Sequence, residues 1–296
     1  MTSGTETIEI NNNRYTYYFT GNARKGTIFM LHGILGNHRE FFPLMNLLSQ
    51  DYRIYAFNLP GFGNSNSLEK FSMNTVVTDL EVFIRQFQEN NSICICHSLG
   101  GIVGCITSSK FPEIFSKLII IQSPLSNKFI TPENIDLLHV LNRVPNQGPL
   151  PDLVDKVKDN DLFESIMFRI AERYAGPLLQ QMNDSFGYNF INECIEELEI
   201  KGVIDFGNYL MNFNITKDVE NIKIPVLGMY SSGDIVIDYK CGDFLVEHCP
   251  KAKISISPSF SHMSIILEPK NYIKDILKFL EPPTFWSKLK GFFHIH

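Results

Sequence analysis

The segment Cys96-His97-Ser98-Leu99-Gly100-Gly101 follows directly on the apolar run Ser92-Ile93-Cys94-Ile95. A β-branched run that passes at once into a glycine pair and helix-forming residues is the pattern of a strand-to-helix elbow. Such an elbow holds its serine in a strained turn, with Oγ at the carboxyl edge of a sheet and a helix N-terminus beneath it. A serine hydroxyl is a weak nucleophile alone, so the reading requires a base, an acid and an oxyanion hole elsewhere in the chain. Serine also caps helices commonly. The preceding strand and the glycine pair favour the elbow.

An elbow needs a sheet to stand on. Thr7 to Phe19 alternates as an antiparallel hairpin interrupted at Asn11-Asn12-Asn13. Thr27–Leu31 and Arg53–Phe57 read as short buried strands, with a helix over Phe41–Leu48 between them. The glycines and proline of Asn58 to Ser65 mark a loop, and Gly61-Phe62-Gly63 lacks the spacing of a dinucleotide fingerprint. Ser72 opens an amphipathic helix with Val76, Leu80, Phe83, Ile84 and Phe87 at helical spacing. The Ile93 strand, a helix to about Lys110 and the strand Leu118–Ile121 follow. This alternation predicts a mostly parallel sheet covered on both faces.

The rhythm stops after Pro124. Residues 126–214 show helical segments at Leu162–Tyr174, Phe190–Leu198 and Val203–Met211, which predicts a helical cap inserted into a core of residues 1–125 and 215–296. The α/β pattern then resumes with a strand at Pro225–Tyr230, a helix at Tyr239–His248, a strand at Ala252–Ile256 and a helix at Pro269–Leu280.

With 296 residues, 44% hydrophobic and 20% charged, the composition is that of an ordinary enzyme large enough for one α/β domain with an insertion. A net charge of −6 disfavours nucleic acid as a partner. The N-terminus lacks the basic and apolar regions of a signal peptide, and no stretch has the length of a transmembrane helix. The six cysteines are scattered; Cys94 and Cys96 share one face of a strand and cannot form a normal disulfide. They read as core residues of a reducing compartment, the cytoplasm, and no spacing suggests a metal site. The C-terminal tail carries Phe285, Leu289, Phe292 and Phe293 at helical spacing beside Lys288 and Lys290. A docked or frayed terminal helix is the favoured reading of it, contact with a membrane interface the alternative.

The order of the His32-Gly33 turn, Leu59-Pro60-Gly61-Phe62-Gly63-Asn64-Ser65, the elbow, Gly233-Asp234 and Ser261-His262 with Glu268-Pro269 resembles the α/β-hydrolase superfamily over nearly the whole chain. The resemblance implies an α/β-hydrolase fold and a Ser…Asp…His triad in that chain order. Ser98 would be the nucleophile, although Cys96 stands where the family usually has glycine. Asp234 would be the acid that fixes the base; the residues after it, Ile235-Val236-Ile237, match the family better than those around the rival Asp238. After the earlier strand, where such an acid can also lie, stand Gln122 and Ser123. His262 would be the base among eight histidines, with His97 a structural neighbour of the serine and His32 an organiser of the next loop. Backbone N–H groups of Ile34 and Leu99 would form the oxyanion hole.

The resemblance therefore implies a serine hydrolase for a small-molecule carboxylic ester, thioester or lactone, without cofactor. Epoxide hydrolases and haloalkane dehalogenases of this superfamily carry Asp at the position of Ser98. Carbon–carbon bond hydrolases and lyases share the serine triad. Hormone-receptor relatives use the cap pocket for recognition, so an enzyme and a binding protein are both compatible with the fold.

Overall fold

Apolar runs buried on both faces become the inner strands of a sheet. A computed structural model of the chain describes residues 2–88, 91–132, 190, 193–258 and 262–281. Strands β1 (Gly4–Ile10) and β2 (Asn13–Gly21) form the hairpin, turned by Asn11 and Asn12 at φ 50° and 66°. Positive φ at both positions is the requirement of a tight two-residue turn, and asparagine tolerates it. β3 (Thr27–Leu31), α1 (Phe42–Leu48), β4 (Arg53–Phe57), α2 (Met73–Phe87), β5 (Ser92–His97), α3 (Leu99–Lys110) and β6 (Lys117–Ile121) follow. Further along the chain come α4 (Ile200–Asn212), α5 (Thr216–Asn221), β7 (Val226–Ser231), α6 (Cys241–His248), β8 (Ala252–Ser257), α7 (Ser264–Leu267) and α8 (Pro269–Leu280). The expected helices at Leu162–Tyr174, the residue Ser261 and the aromatic tail lie outside the described residues.

The eight strands pair in the order β1-β2-β4-β3-β5-β6-β7-β8. β2 runs antiparallel to both its neighbours and every other pairing is parallel, as the strand–helix alternation predicts. Successive side chains enter opposite layers. Ile28, Met30, Ile93, Ile95, Ile119 and Ile121 pack with Leu44, Met45 and Leu48 of α1 and Tyr272 and Ile276 of α8. Phe29, Leu31, Cys94, Cys96, Leu118 and Ile120 pack with Val76 and Leu80 of α2 and Ile102 and Val103 of α3. Each such buried aliphatic side chain contributes about 1.5–3 kcal/mol, so the central strands form a stiff platform.

Parallel strands finish on one edge, and that geometry gathers the chemistry. The carboxyl ends of β3, β5 and β7, and the loop beyond β8, carry respectively the His32-Gly33 turn, Ser98, Asp234 and His262. α3 starts immediately behind the elbow and lies tightly on the end of β3. A Cβ on Gly100 would sit 2.5 Å from the Leu31 carbonyl carbon and 2.8 Å from the His32 oxygen. Both are backbone atoms and cannot swing aside. Gly100→Ala is expected to destabilise the fold by about 1–3 kcal/mol, read as a lower urea midpoint at unchanged m.

The two ends of residues 126–214 lie side by side. Ser126 and Asn214 form an antiparallel bridge, flanked by Asn127 N–H to Phe213 O (3.1 Å) and Ile215 N–H to Leu125 O (3.1 Å). α4 packs on the loop after β4, with the backbone of Gly202 against Gly61 and Phe206 on Phe62 and Phe71. Among the described residues no helix is long and apolar enough to cross a membrane.

Candidate active site

Ser98 sits between the last residue of β5 and the first of α3 with φ 48° and ψ −117°. A non-glycine residue there stores strain on the order of 1–3 kcal/mol, so its surroundings must hold it. They do so from three sides. Its N–H extends the ladder to Ile121 O (3.0 Å), and its carbonyl accepts from Ser123 Oγ (2.7 Å) and from Gly101 N–H (2.9 Å). Ser123 thus braces the elbow. Ser98 is only 7% exposed.

Cys96, the departure from the family pattern, is accommodated by a second residue. Its Sγ reaches Ile119 O at 3.3 Å and lies 2.8 Å from where a Cβ on Gly104 would stand. The glycine one turn into α3 leaves the room that the sulfur occupies. Burial and the neighbouring Cys94 push the Cys96 thiol well above its ordinary pKa. Cys94 and Cys96 point to one side of β5 with their sulfurs 3.8 Å apart, and both are free thiols.

Asp234 and His262 meet. The turn after β7 is closed by Asp234 N–H on Ser231 O (3.2 Å). Asp234 Oδ1 accepts from the N–H groups of Val236 (2.8 Å) and Ile237 (3.1 Å), which leaves Oδ2 to face His262. Oδ2 accepts from His262 Nδ1 at 2.8 Å, with the two side chains 1% and 8% exposed. That bond places the imidazole proton on Nδ1 and leaves the Nε2 lone pair available for another proton. Asp238 is engaged elsewhere: its Oδ1 accepts from Lys240 N–H (3.0 Å) just ahead of α6. α6 begins at Cys241 rather than at the expected Tyr239 because the turn ahead of it is closed by i→i+3 bonds, Cys241 N–H to Asp238 O and Gly242 N–H to Tyr239 O (both 2.9 Å).

The turn after β3 is fastened on all sides. His32 Nε2 accepts from Leu59 N–H (3.0 Å), so its Nδ1 carries the proton and donates to Gly33 O (2.7 Å). Burial holds the His32 imidazole below its usual pKa. Gly33 O also accepts from Gly36 N–H (3.2 Å). With no cis peptide present, the Ile34 N–H points opposite to that carbonyl, and it meets no backbone acceptor among the described residues. A Cβ on Gly33 would lie 3.2 Å from Ser98 Cβ, so this turn runs directly beside the elbow.

Beneath these loops lies a pair that spacing along the chain does not reveal. Glu40, on the short 3-10 turn His38–Phe41, accepts from Gly33 N–H through Oε2 (3.1 Å) and brings Oε1 within 2.7 Å of His97 Nδ1. His97 Nε2 donates to His262 O (3.0 Å), and the two imidazole rings lie 4.7 Å apart. Burial alone would lower the His97 pKa, but the Glu40 carboxylate outweighs it, with Asp234 helping, and raises it. Burial likewise opposes ionisation of Glu40, and His97, His32 and the Gly33 N–H overcome it, so its pKa is lowered. Carboxylate and imidazolium each favour the other's charged form.

The segment around Glu193 and Glu197 docks on the same turn. Arg39 contacts Glu193 (2.9 Å) and Glu197, and Asn37 Nδ2 donates to Glu197 Oε2 (3.1 Å). Among the described residues no group of three or more His, Cys, Asp or Glu side chains could hold a metal ion.

Residues 26–269 match the sequence model of the α/β hydrolase fold. The uncharacterized hydrolase YcgS of Bacillus subtilis is 26% identical over 266 residues, covering 87% of this chain and 91% of its own. The proline iminopeptidase PfmaB of Pestalotiopsis fici is 24% identical over 285 residues, covering 93% and 99%. Among solved structures, the enol-lactonase of Burkholderia xenovorans superposes with a TM-score of 0.77 at 14% identity, covering 93% of this chain and 99% of its own. That last similarity speaks for the fold.

Proposed function

The chain belongs to the α/β hydrolase family, and from that premise we propose that it cleaves a carboxylic ester, thioester or lactone through an acyl-enzyme on Ser98. The observation that carries this reading is the 2.8 Å bond from His262 Nδ1 to Asp234 Oδ2 on the sheet edge that also presents Ser98. Ser98 Oγ attacks the acyl carbonyl while His262 Nε2 takes its proton. The tetrahedral oxyanion is met by the N–H groups of Ile34 and Leu99. The first turn of α3 has no intrahelical acceptor for its N–H groups, and the Gly33 carbonyl orients the Ile34 N–H away from itself. The imidazolium then protonates the leaving group. Water repeats the sequence in reverse and releases the acid, with Asp234 ionised throughout.

Residues 126–214 act in this reading as a cap that shapes the acyl pocket. The Ser126–Asn214 bridge at its base and the docking of Glu193 and Glu197 on Arg39 beside the Gly33 turn support that assignment.

A fluorophosphonate probe is expected to phosphonylate the protein once, with the adduct on the Ser98 peptide by mass spectrometry. A panel of chromogenic esters of increasing acyl length then ranks substrates by kcat/KM. Full occupancy of a ligand pocket with neither labelling nor turnover would instead favour a binding protein on this fold.

A further inference from the structure

The Glu40–His97 pair is an expensive feature for a hydrolase core. The two side chains are 2% and 1% exposed, and their 2.7 Å approach is poorly aligned, leaving Glu40 Oε1 and His97 Nδ1 without a directed hydrogen bond among the described residues. Buried charge pairs with imperfect geometry contribute little to stability. What this one does instead is visible at its two outer ends. Glu40 Oε2 holds the Gly33 N–H, and His97 Nε2 holds the His262 carbonyl. The turn is shaped around the pair as well: a Cβ on Gly36 would stand 2.5 Å from Glu40 Oε2, and one on Gly33 would stand 3.0 Å from His97 Nδ1.

We propose that Glu40 and His97 are positioning residues, a buried carboxylate–imidazolium clamp that sets the oxyanion turn and the loop of the base at a fixed distance across the elbow. The proposal rests on the serine-hydrolase reading above. Neither side chain reaches substrate; Glu40 acts through the Gly33 N–H, one residue ahead of the oxyanion donor Ile34, and His97 through the carbonyl of the base His262. The charge is part of the device. Only a doubly protonated His97 donates to the His262 carbonyl while facing a carboxylate with Nδ1, and Glu40 is the carboxylate closest to it. Among the described residues, the other ionisable groups facing the pair are His32, Cys194, Asp234 and His262.

The test uses the full chain and p-nitrophenyl acetate, with active sites counted by fluorophosphonate titration so that rates refer to folded enzyme. Glu40→Gln is expected to lower kcat by about 100-fold with KM little changed, the size of effect that small misplacement of reacting groups produces. Glu40→Asp, which keeps the charge, should recover part of that loss. In the cycle of Glu40→Gln, His97→Asn and both together, the double variant should be no slower than the slower single. In the wild type, ¹⁵N NMR at neutral pH should find both His97 ring nitrogens protonated. Should Glu40→Gln fail to fold, the double variant, which buries neither charge alone, carries the comparison with wild type. A wild-type rate in Glu40→Gln, independent multiplicative losses, or a neutral His97 overturns the clamp while leaving the serine mechanism intact. A wild type that neither turns over esters nor labels at Ser98 removes both readings.

Discussion

Replacing Ser98 with alanine is expected to abolish ester cleavage, with a loss on the order of 10⁶ in kcat as found when a serine protease loses its nucleophile. The alanine keeps Cβ and removes only the hydroxyl. The bonds that hold the elbow involve the Ser98 N–H and carbonyl, not its side chain, so the fold should survive. A substrate or product analogue should therefore still bind with its usual affinity, measured by calorimetry on the purified variant. Near-native turnover in Ser98→Ala would take this serine out of the mechanism.

The second large effect separates two acids four residues apart. Asp234→Asn should lower kcat by about 10⁴, because an amide facing Nδ1 favours the wrong imidazole tautomer and offers no charge to the imidazolium. Asp238→Asn should leave kcat within a few-fold of wild type, since its side chain needs only to accept from Lys240 N–H and an amide oxygen still does so. Initial rates on the two single variants decide between them. A greater loss at Asp238 would move the acid and redraw the turn after β7.

How far the residues could be read in advance follows from what each one depends on. β3 at Thr27–Leu31 and β4 at Arg53–Phe57 lie where their apolar runs predict, because those strands are packed by the platform and need nothing else. The α1 region is different. Its first turn is a 3-10 turn at His38–Phe41, started by Asn37 Oδ1 on Arg39 N–H, and local apolar spacing is blind to such a cap. Ser98 announces itself through the strand before it and the glycines after it. Which of Asp234 and Asp238 bonds to a histidine on another loop depends on how the loops meet, and spacing holds no record of that. Glu40 was invisible for the same reason: it meets His97 only because the 3-10 turn ahead of α1 and the end of β5 come together in three dimensions. Backbone donors such as the Ile34 N–H have no side-chain signature at all.

The sulfur beside the elbow ties two positions into one shared volume. Residue 96 exceeds the family's usual glycine by the bulk that residue 104 lacks, so neither can change freely without the other. A glycine introduced first at 96 would leave a small void, which packed interiors tolerate at modest loss. A larger residue introduced first at 104 would overlap the sulfur and strain α3 against β5. Any stepwise mutational route between this pairing and one with glycine at 96 and a bulkier residue at 104 is thus directional. It passes through the emptier intermediate.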